Sequence, residues 1–222
     1  MILLIRGHIR DTFNSPQFYE LIKSICELQP SIRIFIHTWS IYANNLSWRP
    51  IQYDSRNVTK DTVNEYFKDL TSYIEDIIID DDSKIQLIGR TDGTMNTATS
   101  PIKGWKNYWY GKYKLVEHVY NKMVCKDEMA VTLRFDILNN SNIRTQDSIL
   151  EFINKYSGKT FHKNVFLTSH ETTGIDNIYI GNIDTLYKLT HYFHTELDKI
   201  LLQFPDNHSQ ELLVFRINDL IF

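Results

Sequence analysis

The chain has 222 residues, room for one domain with a full core, and its 42% hydrophobic and 23% charged residues are those of a globular protein. Lys and Arg number 24 against 27 Asp and Glu, a formal net charge of -3, so no overall charge draws the chain to nucleic acid or to an anionic membrane. Cys26 and Cys125 are far apart and form no CxxC pair, and no apolar run reaches membrane-spanning length. The expectation is a soluble, cytoplasmic chain in a reducing compartment, with peripheral membrane contact left open.

In chain order, residues 2–5 read as a buried strand followed by the polar turn Arg6 to Asp11. Ser15-Pro16 predicts a helix start, Phe18, Leu21, Ile22, Ile25 and Leu28 carry its apolar face, and Pro30 ends it. Ile32 to Ile36 is a β-branched strand that runs into His37-Thr38-Trp39. Residues 40–58 read as a surface loop, and Thr62 with Glu65 as a capping box opening a helix through Val63, Phe67, Leu70, Ile74 and Ile77. Asp80-Asp81-Asp82 reads as a solvated turn, because three adjacent Asp cannot all face one point. Ile85 to Ile88 reads as a short strand, and residues 89–101 as a loop.

Trp105, Trp109, Tyr113, Val116, Tyr120 and Met123 mark a long helix. Met129 to Phe135 is a strand with Asp136 at its C-terminal end, Gln146 to Tyr156 a helix stopped at Gly158, and Val165–Leu167 and Ile178–Ile180 short strands. Leu186 to Leu201 is the strongest helical stripe, and a helix or strand follows from Gln210. The alternation predicts one α/β domain over 1–222, with a mostly parallel central sheet flanked by helices.

Ligands of open α/β sheets bind outside the carboxyl ends of the strands. Three predicted strand ends carry polar groups: Arg6, Gly7 and Arg10; His37, Thr38 and Trp39; and Arg134 with Asp136. Gly7 allows close backbone approach, and Arg6 and Arg10 can grip phosphate oxygens in bidentate fashion, unless they merely pair with Asp11 or another carboxylate. Asp136 can hold a divalent cation against a departing diphosphate, with Arg134 on the phosphate or orienting Asp136; the plain alternative is a structural ion pair. There is no GxxxxGK, GxGxxG, GxSxG or HExxH pattern. His191 and His194 read as boundary histidines of a helix, and His170-Glu171 is a weak acid/base candidate. The basic, aromatic-rich segment from Lys103 to Lys114 lacks the company of any RNA-binding motif, so no nucleic-acid partner is expected.

These landmarks, in this order, resemble a family of small GT-A-like glycosyltransferases of bacterial surface-polysaccharide clusters and large DNA viruses. The phrases are Arg6-Gly7-His8-Ile9-Arg10-Asp11, Ile34 to Trp39, Trp109-Tyr110-Gly111-Lys112-Tyr113-Lys114, Val131 to Asp136, Asp176 to Gly181, and Ser209 to Leu213. The resemblance implies a GT-A-like (Rossmann-type) fold, a nucleotide-sugar donor and Mg or Mn. It places Asp136 at the metal and diphosphate, and Arg6, Arg10 and Lys114 on the donor. Arg134 stands where the first carboxylate of a DxD motif is usual. The function expected is transfer of a sugar from a nucleotide-sugar to a hydroxyl of a glycan or lipid-linked glycan acceptor in surface-polysaccharide biosynthesis. His37, Trp39 or Trp109, with Tyr113 beside them, would line the nucleoside or sugar pocket. An inverting enzyme needs a base for the acceptor hydroxyl, for which Asp176, Glu211 and His170 are candidates. The alternatives are a non-catalytic nucleotide- or sugar-binding module of the same fold, and a sugar nucleotidyltransferase.

Overall fold

A computed structural model of the chain describes residues 1–47, 51–95, 100–139, 144–170, 173–205 and 210–222; the side chains of 168–175 and 206–211 lie outside that description. The strands are β1 (Ile2–Arg6), β2 (Arg33–Trp39), β3 (Ile41–Ala43), β4 (Asp54–Asn57), β5 (Ile74–Asp80), β6 (Met129–Arg134), β7 (Val165–His170) and β8 (Thr173–Asn182). The helices are α1 (Gln17–Leu28), α2 (Lys60–Phe67), α3 (Ile102–Lys122), α4 (Gln146–Tyr156), α5 (Ile183–Gln203) and α6 (Gln210–Ile221).

Six strands form the central sheet in the order β5-β2-β1-β6-β8-β7. β5, β2, β1 and β6 are mutually parallel, and β8 opposes its neighbours β6 and β7. The mostly parallel α/β sheet expected from the sequence is therefore present. From β1 the chain crosses to β2 on one side and, later, to β6 on the other. The β1/β6 boundary is thus a topological switch point, the place at which ligand crevices of open α/β sheets form at the strand ends.

Side chains of successive strand residues alternate between two layers. Leu3, Ile5, Ile34, Ile36, Val131 and Leu133 pack with residues of α1, α2 and α4. Ile2, Leu4, Phe35, Ala130 and Tyr179 pack with α3, α5 and α6. All five residues of β1 are buried, as a central parallel strand covered on both faces requires. No helix among the described residues is long and apolar enough to cross a membrane.

Several local expectations are corrected. Ser15 does not cap α1 as the N-cap; Pro16 holds that position, and Ser15 Oγ instead accepts from the Gln17 amide at 3.2 Å. The capping box of α2 is Thr59 with Thr62, three residues earlier than Thr62 with Glu65. α2 ends at Phe67, a 3-10 turn follows, and Ile74 and Ile77 belong to β5. Ile77-Ile78-Ile79 is a β-branched run, which a sheet edge accommodates better than a helix. With β5 occupying the edge beside β2, Ile85 to Ile88 forms no strand. The 40–58 segment contains the two-stranded β3/β4 ribbon.

Candidate active site

The parity that sorts the core also builds the site. Arg6 follows Ile2 and Leu4 on the α3 side of β1, Arg134 follows Ala130 on the same side of β6, and His37 follows Phe35 on β2. In the ladder Arg6 pairs with His37 on one side and with Arg134 on the other, so these three form one row across the strand ends. Next to β6 on β8, Asn177 lies on the face that Tyr179 shares, and its Oδ1 accepts from Arg134 Nη1 at 3.0 Å.

Helix α3 covers this row with Tyr108 and Lys112, one turn apart. The Arg6 guanidinium lies 4.4 Å above the Tyr108 ring and donates from Nη2 to the Tyr108 hydroxyl at 3.0 Å. Tyr108 in turn donates to Asp176 Oδ2 at 2.6 Å. Lys112 Nζ donates to the Asp176 carbonyl at 2.9 Å and sits among the rings of Tyr108, Trp109 and Tyr179 at 4.2, 4.1 and 4.9 Å. Burial first, and then the charge of Arg6, push the Lys112 pKa well below the ordinary lysine value. Among the described residues neither Arg6 nor Lys112 forms an ion pair, and Arg6 Nε is buried without a hydrogen-bond partner.

Asp136 follows β6 and is itself buried. Its Oδ2 accepts from Arg134 Nη2 at 2.7 Å and, in a very short contact, from Arg10 Nη1. Arg10 reaches it from a backbone held at φ +54°, with its amide donating to the Tyr42 carbonyl at 2.7 Å. The turn after β1 is fixed to β2: the Gly7 amide (φ +99°) donates to His37 O at 3.1 Å, and Thr38 Oγ1 donates to Gly7 O at 3.0 Å. Left-handed φ at Gly7 carries no Cβ penalty, whereas at Arg10 it does, so the turn is strained at the residue that delivers its charge to Asp136.

On the β2 side, His37 Nε2 lies 3.1 Å from Asp80 Oδ2. That contact, then a hydrogen bond from Tyr110 and, least, the charge of Lys114, hold the Asp80 carboxyl below the usual range. Trp39 is buried, with its ring edge-on to His37 at 5.1 Å and stacked on His8 and Tyr110 at 5.6 and 6.0 Å. Asp82 is buried rather than solvated, accepting from Asn44 Nδ2 at 2.5 Å and standing 3.7 Å from His8 Nε2. Only Asp81 of the acidic triplet behaves as a turn residue, bonded to Ser83 and paired with Lys84.

The structure thus brings together Arg6, Gly7, Arg10, Arg134, Asp136 and Asp176, with His37, Thr38 and Trp39 on the adjoining strand. Trp109 is fully buried, its ring stacked on Phe193 at 3.9 Å, and supports the crevice from the core. Tyr113 faces α5, stacked on His194 at 4.5 Å with its hydroxyl on Glu117, and stands apart from the cation row. His191 also lies in this helix contact, 5.6 Å from Tyr113. Lys114 lies close enough to Asp80 to help hold that carboxyl below the usual range. Glu211 falls in α6 and His170 in β7, but their side chains lie outside the described ones, as does Glu171.

From the sequence alone Tyr108 carries no role, and Lys112 is named only within the phrase from Trp109 to Lys114. A signal for Lys112 exists: it occupies a position on the buried stripe of α3 shared by Trp105, Trp109, Leu115, Val116 and Val119, where a lysine is anomalous.

Divalent-cation binding at Asp136 does not fit the donor set. The carboxylate is engaged by two guanidiniums, and the second carboxylate position holds Arg134. Among the described residues no group of three His, Cys, Asp or Glu side chains could hold a metal ion.

No protein-family model matches the chain, and no curated protein matches it in sequence. Among solved structures, an active-site mutant of LgtC is similar at a TM-score of 0.45 and 10% identity, covering 98% of this chain and 69% of that one. The galactosyltransferase LgtC crystallised with donor and acceptor sugar analogs is similar at a TM-score of 0.43 and 10% identity, covering 98% and 70%.

Proposed function

We propose that the chain is a GT-A-type glycosyltransferase that moves a sugar from a nucleotide-sugar donor to a hydroxyl of a surface glycan or related acceptor. The observation that carries the reading is the cation row at the β1/β6 switch point: Arg6 and Arg134 in register, with Lys112 above them. Like charges placed opposite one another on a sheet destabilise it, and an anionic ligand in the crevice relieves that repulsion. A donor diphosphate is such an anion. Arg10, paired with Asp136, extends the row, and the rings of His8, Trp39 and Tyr110 wall the side on which the nucleoside would lie.

In this reading the acceptor oxygen bonds to the anomeric carbon as the bond from that carbon to phosphate breaks. The electron pair stays on the diphosphate, where Arg6, Arg134 and Lys112 meet the new charge. The acceptor proton passes to the Asp176 carboxylate, which Tyr108 holds by its hydrogen bond.

Thermal denaturation with UDP-, GDP-, CMP- and dTDP-sugars, followed by donor hydrolysis, tests the reading. One donor class is expected to raise the melting temperature and to be turned over. Stabilisation without turnover would favour a non-catalytic binding module, and no response to any nucleotide-sugar would overturn the proposal.

A further inference from the structure

We infer that the crevice binds and releases the donor diphosphate without a divalent cation, its charge being met by Arg6, Arg134 and Lys112 in the place a metal would occupy. The inference rests on the glycosyltransferase reading and deepens it. Three observations carry it independently of any relative.

The first is register. Arg6 and Arg134 are ladder partners on the same face, so their guanidiniums enter one space. Asn177 and Tyr108 hold them there, through Arg134 Nη1 to Asn177 Oδ1 at 3.0 Å and Arg6 Nη2 to Tyr108 Oη at 3.0 Å. Both of these partners are neutral groups, which orient the guanidiniums; Arg134 is in addition ion-paired with Asp136, so the uncompensated charge of the row lies on Arg6 and Lys112.

The second is charge balance. Lys112, 1% exposed, and Arg6, 2% exposed, donate only to neutral oxygens among the described residues. No carboxylate among the described residues bonds to either cation; the nearby Asp176 carboxylate offsets only part of their charge, which is costly in a folded chain, and a dianionic ligand lowers that cost. The unpartnered Arg6 Nε leaves one guanidinium donor over.

The third is the state of Asp136. A metal on this carboxylate would have to displace, or stand beside, the guanidiniums of Arg10 and Arg134 that bond to its Oδ2. Repulsion between a divalent cation and two neighbouring guanidiniums, in a crevice of reduced dielectric, opposes that placement. With Asp136 as an internal counterion, Arg134 is aligned and the row remains cationic.

The test uses the full chain, stripped of metal, and titrates UDP, GDP, CDP and dTDP by calorimetry in EDTA and again with Mn. The nucleotide that binds is expected to do so in EDTA with a Kd within about threefold of its value in Mn. Arg134→Asp places two carboxylates two residues apart at the strand end. It is expected to weaken binding in EDTA by roughly tenfold or more, with Mn restoring part of the loss. Arg134→Gln, which keeps the bond to Asn177 within reach, is expected to show the same loss without rescue.

Wild-type binding that disappears in EDTA and returns with Mn would overturn the inference while leaving the glycosyltransferase reading intact. Arg134→Asp and Arg134→Gln that both bind as wild type in EDTA would overturn the role of the row. No binding of any nucleotide in either condition would remove the donor reading itself, and the inference with it.

Discussion

Lys112 is held in a position that a side chain chosen for stability alone would not occupy. Its ammonium is enclosed by three rings and shares space with Arg6 and Arg134, and burial depresses its pKa. The unfolded chain takes up this proton at the ordinary lysine value, and the folded chain holds it less tightly. Stability from this group is therefore present above the ordinary value and is lost as pH falls towards the depressed one. At neutral pH Lys112 burdens the ligand-free fold. Lys112→Met keeps the length and the ring contacts, and is expected to raise unfolding free energy by about 1–4 kcal/mol, as replacement of buried charge commonly does. The same change should weaken nucleotide diphosphate binding by roughly tenfold or more, the loss of a charged hydrogen bond. Urea unfolding at pH 7 and calorimetric titration give the two numbers. Lower stability with unchanged affinity would make Lys112 a structural cation in an aromatic cage.

The distance between α3 and β2 sets how closely Tyr108 and Lys112 approach the strand ends. Gly111 faces His37 directly: a Cβ there would lie 3.0 Å from His37 Cε1 and 3.6 Å from Trp39 Cζ2. His37 is fully buried and tied to Asp80, so it cannot yield. In an unconstrained helix, replacing Gly by Ala gains about 1 kcal/mol. Here Gly111→Ala is expected to lower the melting temperature despite that gain, and to weaken diphosphate binding, because α3 must lift from β2. A higher melting temperature with unchanged affinity would show that the close approach is dispensable. The helix itself was legible from Trp105, Trp109 and Val116, but which aromatic faced the crevice was not. Trp109 and Tyr113 have the chemistry of a sugar platform, whereas the strand parity below α3 selects Tyr108 and Lys112. β1, β2 and β6 were read from apolar runs that a doubly covered sheet demands. Ile74 and Ile77, expected on the helix, belong to β5 because the β-branched run from Ile77 to Ile79 also fits a strand, and only pairing with β2 decides between them. Arg6, Arg10, Arg134 and Asp136 were legible because they end strands. That Asp136 answers to two guanidiniums depends on a turn 126 residues away in sequence from it, at Arg10, and no local pattern encodes that.

Across the whole molecule, β1 is the element both layers share. Leu3 and Ile5 enter the core with α1, α2 and α4, while Ile2 and Leu4 enter the core with α3, α5 and α6. Neither layer can lose its packing without exposing one face of β1, and with it the ladder to β2 and β6 on which the cation row stands. One cooperative unit over the whole chain follows from the single-domain reading. Leu3→Ala and Leu4→Ala remove fully buried side chains from opposite layers, and each is expected to cost about 2–5 kcal/mol. Tryptophan fluorescence reports mainly on the α3 layer, where Trp105 and Trp109 lie, and far-ultraviolet circular dichroism reports on all helices. For both variants the two probes should give coincident urea transitions, shifted together from wild type. If Leu3→Ala separated the transitions, with fluorescence retained while part of the helical signal was lost, the layers would be distinct folding units. The site would then depend on the α3 layer alone, and the nucleotide diphosphate would be expected to stabilise only the later transition.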